Sequence, residues 1–354
     1  MLFTPTHAEQ RSRAAHDLRL GRPVRVDGPE GGAAVFAAET LTEERLTQAR
    51  AIGRPVLAIT AWRAETLKVQ VYDGDLARLA VPETEGLRWI SGVIDPARDL
   101  SMPMKGPFKA ERGGSADVSR AAISLAKGAH LLPAALLVPL SEPTPDLLSL
   151  TVEAALDDQL VALSPVSSAR VPLAAAKDAR LHIFREPGGE EHYAIEIGSP
   201  RRDAPVLARL HSACFTGDLL DSLKCDCGPQ LRAALAQMGA EGSGILLYLN
   251  QEGRGIGLAN KMRAYDLQDQ GFDTVDANHR LGFEDDERDF RIGAQLLRSL
   301  GVSQVRLMTN NPAKIARMES CDIAVAERVP LRVGETPENS GYLATKIAKS
   351  GHLT

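Results

Sequence analysis

The chain lacks several features that define whole classes of protein. Four cysteines among 354 residues are too few for a disulfide framework, and they fit a reducing compartment. No stretch approaches the ~18 consecutive apolar residues of a membrane-spanning helix, and the first residues contain no apolar core of a secretory signal. The net charge of −5 offers no basic surplus for nucleic acid. We therefore expect a cytoplasmic protein that binds neither membranes nor nucleic acids.

Length and composition allow two packed domains. Single hydrophobic cores rarely grow beyond roughly 250 residues, so a chain of 354 residues indicates two of them. Hydrophobic residues make up 44% of the chain and charged residues 25%, which is ordinary for a globular protein. We place the first domain at residues 1–175 and the second at 176–354, with a linker near Pro172–Lys177.

The residue patterns predict an α/β (α+β) fold in which each domain is a mixed sheet layered with helices. In the first domain the clearest elements are a strand at 56–60, a helix at 118–127 and a strand at 134–140. In the second domain strands are predicted at 179–184, 192–197, 205–211, 244–249 and 305–308. Its helices are predicted at 229–238, 258–270 and 287–300, and the tail from Gly334 reads as loose.

Three cysteines carry the most specific chemical signal. Cys214 is followed after ten residues by Cys225 and Cys227, which a single residue separates. Such a pair cannot easily form a disulfide with itself, but all three thiolates could converge on one soft metal ion. Three thiolates with one open position are typical of catalytic zinc, whereas structural zinc usually has four protein ligands. A structural site completed by His211 or Cys321 is the alternative that the spacing leaves open.

Three further segments combine turn residues with charge. QEGRGIGL, residues 251–258, lies between a predicted strand and helix, where backbone N–H groups can bind an anion, although such turns are common. Lys314 follows TNNP at a predicted helix start, which suits a phosphate partner. DDERDF, residues 285–290, would by default be a solvated helix start, since acids are favoured there.

At RLHSACFTGDLLDSLKCDCG, QEGRGIGLANKMRAYDLQDQG, DTVDANHRLGFEDDERDF and RLMTNNPAKI the chain resembles GTP cyclohydrolase II, over roughly residues 178–354. That family catalyses the first committed step of riboflavin synthesis. It opens the imidazole ring of GTP, expels formate and releases pyrophosphate, leaving 2,5-diamino-6-ribosylamino-4(3H)-pyrimidinone 5′-phosphate. The resemblance implies this activity, a homodimer, one zinc ion per subunit, and Mg²⁺ with the GTP phosphates.

The resemblance also implies roles for single residues. Cys214, Cys225 and Cys227 match the zinc ligands, and Tyr265 lies by the base. Asp286 matches the proton acceptor, and Arg288 the group that attacks the α-phosphate. A guanidinium stays protonated and has no lone pair for attack, so a charge-stabilising clamp is the easier physical account. The implied GTP contacts are Arg209, Leu210, His211, Ser212, Ala213, Gln230, Glu252, Gly253, Arg254, Thr274, Thr309 and Lys314. Asn250 stands where the family often has arginine.

Residues 11–140 resemble a degenerate 3,4-dihydroxy-2-butanone 4-phosphate synthase. The synthase's acidic loop is replaced by VDGPEGGAAVFAAE, in which only Asp27 and Glu30 precede Glu39. Its catalytic histidine is expected near residue 117, where the chain has Ala116–Ser119. Because a hard metal needs several carboxylate ligands, we predict that this domain is non-catalytic for that reaction.

Three hypotheses about function follow. The favoured one is an active, zinc-dependent GTP cyclohydrolase II with a non-catalytic N-terminal domain. The second is a bifunctional enzyme that also makes the butanone phosphate from ribulose 5-phosphate. The third is a zinc-stabilised nucleotide-binding protein without turnover.

Overall fold

The structure is a computed structural model that describes residues 3–142, 144–160, 162–339 and 351. It divides the chain into two compact units that differ from the predicted domains. The first unit contains Met1–Gln159 and Ala259–Asp286, and the second contains Leu160–Leu258 and Glu287–Thr354. The sequence had placed one boundary near residue 175, in a linker at 172–177. That segment is the turn between two paired strands of the second unit.

In the described residues the strands form two sheets, one in each unit. The strands of the first unit are β1 (Val24–Gly28), β2 (Gly31–Ala37), β3 (Val56–Thr60), β4 (Leu76–Ala80), β5 (Ala134–Leu140) and β6 (Ser149–Thr151). Those of the second unit are β7 (Ser164–Arg170), β8 (Ala179–Arg185), β9 (Glu191–Ile197), β10 (Val206–Ser212), β11 (Gly244–Leu249), β12 (Gln304–Met308) and β13 (Ala324–Val329).

Helices flank both sheets. In chain order they are α1 (His7–Arg19), α2 (Glu43–Ile52), α3 (Ala61–Thr66), α4 (Leu87–Ile94), α5 (Asp117–Gly128), α6 (Val152–Leu156), α7 (Cys227–Glu241), α8 (Leu258–Asp269), α9 (Thr274–Leu281), α10 (Arg291–Ser299) and α11 (Pro312–Glu319). Every helix in the described part of the chain falls short of the length and apolar character that a bilayer crossing needs.

The sheet of the first unit has the order β4-β3-β5-β2-β1-β6, and only the β1–β6 pair is parallel. Its central strands are almost wholly apolar, because helices such as α5 cover them. The predicted strands at 56–60 and 134–140 are confirmed, and the helix predicted at 118–127 is confirmed within α5.

The sheet of the second unit has the order β13-β12-β10-β11-β9-β8-β7. The first four strands run parallel to their neighbours, and the other three continue the sheet antiparallel. The strands predicted from 179 to 308 are confirmed to within a residue at most ends. Both units are therefore mixed sheets layered with helices, as the sequence predicted.

Successive side chains of β10 and β11 point to opposite faces of the sheet. Val206, Ala208 and Leu210 join the core on the face covered by α10 and α11, whereas Leu207 joins the core beneath α7. Arg209 is two residues from Leu207 on the same strand, so it also faces α7. The alternation thus places a charged side chain in a largely apolar layer.

Two helices differ from the prediction. The helix predicted at 287–300 begins at Arg291 instead. The Asp289 carboxylate accepts the Arg291 N–H at 2.9 Å, and this local turn takes the place of a helical turn at 287–290. The unpredicted helix α9 follows Asp273, whose carboxylate accepts the N–H groups of Val275 and Asp276 at 2.9 and 3.0 Å. This is an ordinary N-cap that the sequence already contained.

Candidate active site

Three parallel strands of the second unit end at one edge of the sheet. β10 lies between β11 and β12 and is parallel to both. Cys214 follows β10, the segment 251–258 follows β11, and Thr309 with Lys314 follows β12. The carboxyl ends of parallel strands are where open α/β sheets bind ligands. The topology therefore brings three sequence motifs together that are far apart along the chain.

The three cysteines converge at this edge. Their sulfur atoms all lie within 4.8 Å of one another, and the Cys214 and Cys225 sulfurs are 3.7 Å apart. That separation is far beyond the ~2.05 Å of a disulfide bond. Within the described residues, this convergent group includes neither His211 nor Cys321. The cluster could hold a soft metal ion.

Local backbone structure creates the cluster. A single π-helical turn, Phe215–Leu219, follows Cys214, and helix α7 begins at Cys227. The Gly217 N–H donates to the Cys214 sulfur at 3.4 Å. A Cβ atom on Gly217 would lie 2.6 Å from the Cys225 sulfur and 3.1 Å from the Cys214 sulfur, so only glycine fits between them.

The sulfurs perturb one another. Contact with the Cys214 sulfur raises the pKa of the Cys225 thiol, and burial raises it further, against an opposing effect of Cys227. Adjacent buried thiols resist ionisation because their negative charges would repel. A cation that binds the thiolates removes this repulsion, so metal binding and proton release are coupled here.

Asp218, which the sequence analysis missed, connects the cysteine turn to the sheet. Its carboxylate oxygens lie 3.0 Å from His211 Nε2, and it accepts the Tyr248 hydroxyl at 2.9 Å and the Cys214 N–H at 3.0 Å. Burial lowers the pKa of His211 although Asp218 opposes the shift. Burial, with the charge of Asp218, raises the pKa of Tyr248. Its position four residues after Cys214, inside the cysteine motif, was the available signal.

Arg209 is a buried cation beside the cysteine cluster. One guanidinium nitrogen donates to Gln230 Oε1 at 2.5 Å and another to the Met308 carbonyl at 3.4 Å. Its buried Nε has no partner among the described residues. Burial lowers its pKa to about 10, against the opposing charges of Cys227, Asp226 and Asp218, so it remains protonated at neutral pH. A buried cation with an unused N–H is suited to an anionic ligand.

The segment 251–258 touches the cysteine turn directly. The Glu252 carboxylate accepts the Phe215 N–H at 2.6 Å and the Gly253 N–H at 2.8 Å. Gly253, Arg254 and Gly255 all have positive φ, at 63°, 61° and 94°. A Cβ on Gly255 would lie 2.8 Å from the Glu287 backbone, so glycine is required there. The left-handed run turns the loop back onto the chain that leads to Arg288.

Two further cations meet around Phe290. Arg288 donates to the Ser212 hydroxyl at 3.3 Å and lies 4.8 Å from the centre of the Phe290 ring. Lys314 donates to the Leu210 carbonyl at 2.9 Å and lies 5.4 Å from the same ring. The Thr309 hydroxyl accepts the backbone N–H of Asn311 at 3.0 Å. The Ala213 N–H donates to the β11 carbonyl of residue 249 at 2.7 Å.

Three of the predicted site residues belong to the first unit. Tyr265 lies on α8, with its ring centre 5.7 Å from Lys261 Nζ. Thr274 is the first residue of α9 and accepts Gln268 Nε2 at 3.3 Å. Asp286 is the last residue of this unit. The other predicted contacts and the cysteines belong to the second unit.

The second unit therefore brings three cysteine sulfurs that could hold a metal ion, together with several cations, to the edge where its parallel strands end. This arrangement is typical of an enzyme that acts on an anionic substrate. The GTP cyclohydrolase II family model matches residues 164–330. The chain is 44% identical over 360 residues to the GTP cyclohydrolase-2 of Azospirillum brasilense, covering 96% of this chain and 93% of that protein.

Shorter matches agree. The chain is 56% identical over 173 residues to the GTP cyclohydrolase-2 of Neisseria meningitidis, covering 49% of this chain and 88% of that protein. It is 57% identical over 164 residues to the riboflavin biosynthesis protein RibBA of Bacillus cereus, covering 46% of this chain and 41% of that protein. The chain belongs to the GTP cyclohydrolase II family, which confirms the resemblance found in the sequence.

Proposed function

We propose that this chain is a zinc-dependent GTP cyclohydrolase II that acts at the first step of riboflavin synthesis. It converts GTP to 2,5-diamino-6-ribosylamino-4(3H)-pyrimidinone 5′-phosphate, formate and pyrophosphate. The observation that supports this best is the group of three sulfurs within 4.8 Å at the end of the central parallel strand, in a chain of this family. We further propose that the enzyme is cytoplasmic and homodimeric.

The cysteine cluster fits zinc in both chemistry and spacing. Two sulfurs on a tetrahedral zinc ion are about 3.8 Å apart, because each Zn–S bond is about 2.3 Å. The Cys214 and Cys225 sulfurs are 3.7 Å apart. Zinc bound here would supply the Lewis acidity that makes hydroxide available near neutral pH, as attack on the purine C8 requires. Three protein ligands are the number that catalytic zinc sites use.

The chain's own residues would orient this centre. Gly217 donates its N–H to the Cys214 sulfur, and Asp218 accepts the Cys214 N–H. Both bonds limit how the ligand can rotate. Partners that hold metal ligands in this way typically contribute 10–100-fold, as an order of magnitude, to metal affinity.

The positive side chains would bind the triphosphate. Arg209, Arg288 and Lys314 all lie near the carboxyl ends of β10 and β12, where their charge can offset that of the phosphates. Mg²⁺ would neutralise the remaining charge while it keeps most of its own waters. A guanidinium has no lone pair for attack, so Arg288 would serve pyrophosphate release by stabilising charge on the phosphoryl group.

The remaining roles come from the family. Asp286 would accept a proton and Tyr265 would lie beside the base, with Thr274 as a further nucleotide contact.

Two carboxylates of the first unit are already engaged. The Asp27 carboxylate accepts Arg25 Nε at 2.7 Å and the Ser149 hydroxyl at 2.7 Å. Glu30 accepts the Ser115 N–H at 2.7 Å. These bonds support the proposal that this unit does not catalyse butanone phosphate synthesis.

The test is a product assay on purified protein with GTP and Mg²⁺, together with a metal analysis. We expect formate and pyrophosphate to appear in equal amounts and zinc to be present in a ratio of about one per chain. Bound but unchanged GTP would instead identify a nucleotide-binding protein. In a parallel reaction with ribulose 5-phosphate we expect no butanone phosphate, and its formation would establish the bifunctional alternative.

A further inference from the structure

The segment Ala259–Asp286 carries three of the residues that the proposed function uses. Tyr265 lies on α8, Thr274 opens α9, and Asp286 ends the segment. All of them belong to the compact unit that the N-terminal residues build. A contact that holds the backbone of this segment therefore also bears on where these three residues lie.

Trp62 on α3 makes the most specific contact with the segment. Its indole stacks on the His279 imidazole, with ring centres 3.7 Å apart and planes 4° from parallel. The indole N–H donates to the Glu284 carboxylate at 3.1 Å. His279 in turn lies 2.9 Å from an Asp285 carboxylate oxygen. One side chain thus holds both the end of α9 and the acidic loop that leads to Asp286.

The turn after α9 packs closely on the same part of the fold. Gly282 has a φ of +91°, and a Cβ atom there would lie 2.6 Å from the Thr60 hydroxyl and 2.9 Å from Pro133. The next residue, Phe283, is 1% exposed, and Lys127 Nζ lies 5.9 Å from its ring centre. Glycine is required because its φ is in the left-handed region and because a side chain would clash with those of Thr60 and Pro133.

Helix α8 is held by polar contacts to the N-terminal residues. The Arg263 guanidinium donates to both Glu39 oxygens, at 2.8 and 3.2 Å, and Glu39 also accepts the Leu132 N–H at 2.7 Å. Asn260 is fully buried and donates to the His130 carbonyl at 3.0 Å. Buried polar groups of this kind allow few alternative arrangements, because each alternative would leave a group without a hydrogen bond.

We propose that the N-terminal part of the first unit positions the segment 259–286 for the GTP reaction, with Trp62 as the principal positioning residue. The inference rests on the proposed function, which gives Tyr265, Thr274 and Asp286 their roles. Productive geometry is sensitive to small displacements, since a shift of about 1 Å can cost about 100-fold in rate. A domain without chemistry of its own would thus still determine the turnover number.

The test compares Trp62→Ala with Trp62→Phe. We expect Trp62→Ala to lower kcat at least about tenfold while zinc content stays at the wild-type level. Trp62→Phe retains an aromatic ring for stacking on His279 and should recover most of the lost kcat. Hydrogen exchange of residues 274–286 should become faster in Trp62→Ala and remain near wild type in Trp62→Phe. A general loss of folded protein would lower zinc content and kcat together.

A double-mutant cycle tests whether Trp62 acts through its stacking partner. If it does, Trp62→Ala combined with His279→Ala should reduce kcat no more than Trp62→Ala alone. Tyr72→Ala is the matched control, because Tyr72 is a half-exposed aromatic of the same unit that lies under Arg112. That variant should keep the wild-type kcat and the wild-type rate of hydrogen exchange in residues 274–286.

The outcomes separate the two proposals. If the wild type releases no formate from GTP, the proposed function fails, and the exchange of residues 274–286 alone then decides whether Trp62 holds the segment. If the wild type is active and Trp62→Ala keeps its kcat, the positioning inference is overturned, whatever the exchange shows.

Discussion

The two units share an architecture but use their charged residues differently. In the first unit, buried arginines pair with carboxylates of the same unit: Arg63 binds both oxygens of Asp99, and Arg78 binds both oxygens of Asp73. In the second unit, the buried Arg209 has an Nε without a partner among the described residues. Paired charges hold a fold together, whereas a cation with an unused N–H can serve a ligand.

The difference follows from strand direction. The first sheet is almost entirely antiparallel, so its strand ends alternate between two edges. The second sheet places three parallel carboxyl ends side by side. Only the second arrangement collects several loops at one edge, and that is where the cysteines lie. Four substitutions test this contrast.

Cys225→Ser should have the largest effect, because it removes one of three sulfurs from the cluster. We expect bound zinc to be lost and turnover to fall about 1000-fold or more, since a metal Lewis acid contributes several kcal/mol. Metal analysis and formate release measure the two effects. Cys321→Ser is the matched control, because Cys321 packs against the core of the same unit away from the cluster. Normal turnover in Cys225→Ser would refute the metal role.

Asp99→Asn should destabilise the first unit and leave metal binding intact. Arg63 is 1% exposed, and the neutral side chain would leave its charge without a counterion. Breaking such a buried pair costs about 3 kcal/mol in the free energy of unfolding. Chemical denaturation measures the loss, and zinc content should not change. Asp203→Asn, in an exposed pair with Arg201, is the control and should have no measurable effect.

The Asp99 effect should also depend on pH. Burial raises the pKa of Asp99, but Arg63 and Lys105 outweigh burial and hold it below the ordinary value of 3.8. The folded state therefore favours the carboxylate, whose stabilisation is complete above that value and is lost as pH falls through the folded pKa. The difference between wild type and Asp99→Asn should be constant from pH 7 to about pH 4 and then shrink. A difference that grows on acidification would contradict this assignment.

Gly217→Ala should weaken the metal site without removing a ligand. The added methyl group would lie 2.6 Å from the Cys225 sulfur and 3.0 Å from Cys227 Cβ, so the cluster must open. We expect zinc affinity to fall about 10–100-fold, as for other residues that orient metal ligands. Competition with a chelator measures the affinity. Gly113→Ala is the control, because a Cβ atom there has open space around it. Equal zinc affinities in the two variants would contradict the claim that the cysteine cluster leaves no room for a side chain at Gly217.

Thr42→Ala should have the smallest effect. Thr42 caps α2 by accepting the Arg45 N–H at 3.2 Å, and losing such a cap costs about 1 kcal/mol. Thermal unfolding should shift while zinc content and turnover remain unchanged. Thr47→Ala, within the same helix, should be close to neutral. A loss of zinc in either variant would contradict a purely local role of Thr42 as a helix cap.

Much of the fold could be predicted because its signals are local. The strands β3, β5 and β11 were located to the residue, since each is an unbroken apolar run. The spacing of Cys214, Cys225 and Cys227 predicted their convergence, because a short loop limits how far its ends can separate. The start of α10 was misplaced, since it depends on which N–H group the Asp289 side chain accepts.

The sequence by itself determined the sheet-and-helix composition of both units and singled out Cys214, Cys225 and Cys227 as candidate metal ligands, because neighbouring residues carry that information. Only the tertiary structure decided that Asp218 joins Cys214 to Tyr248, that Arg209 lies under α7, and that residues 259–286 pack with the N-terminal unit. Such pairings depend on which strands lie side by side and which faces they bury, and residues far apart in the chain specify them only jointly.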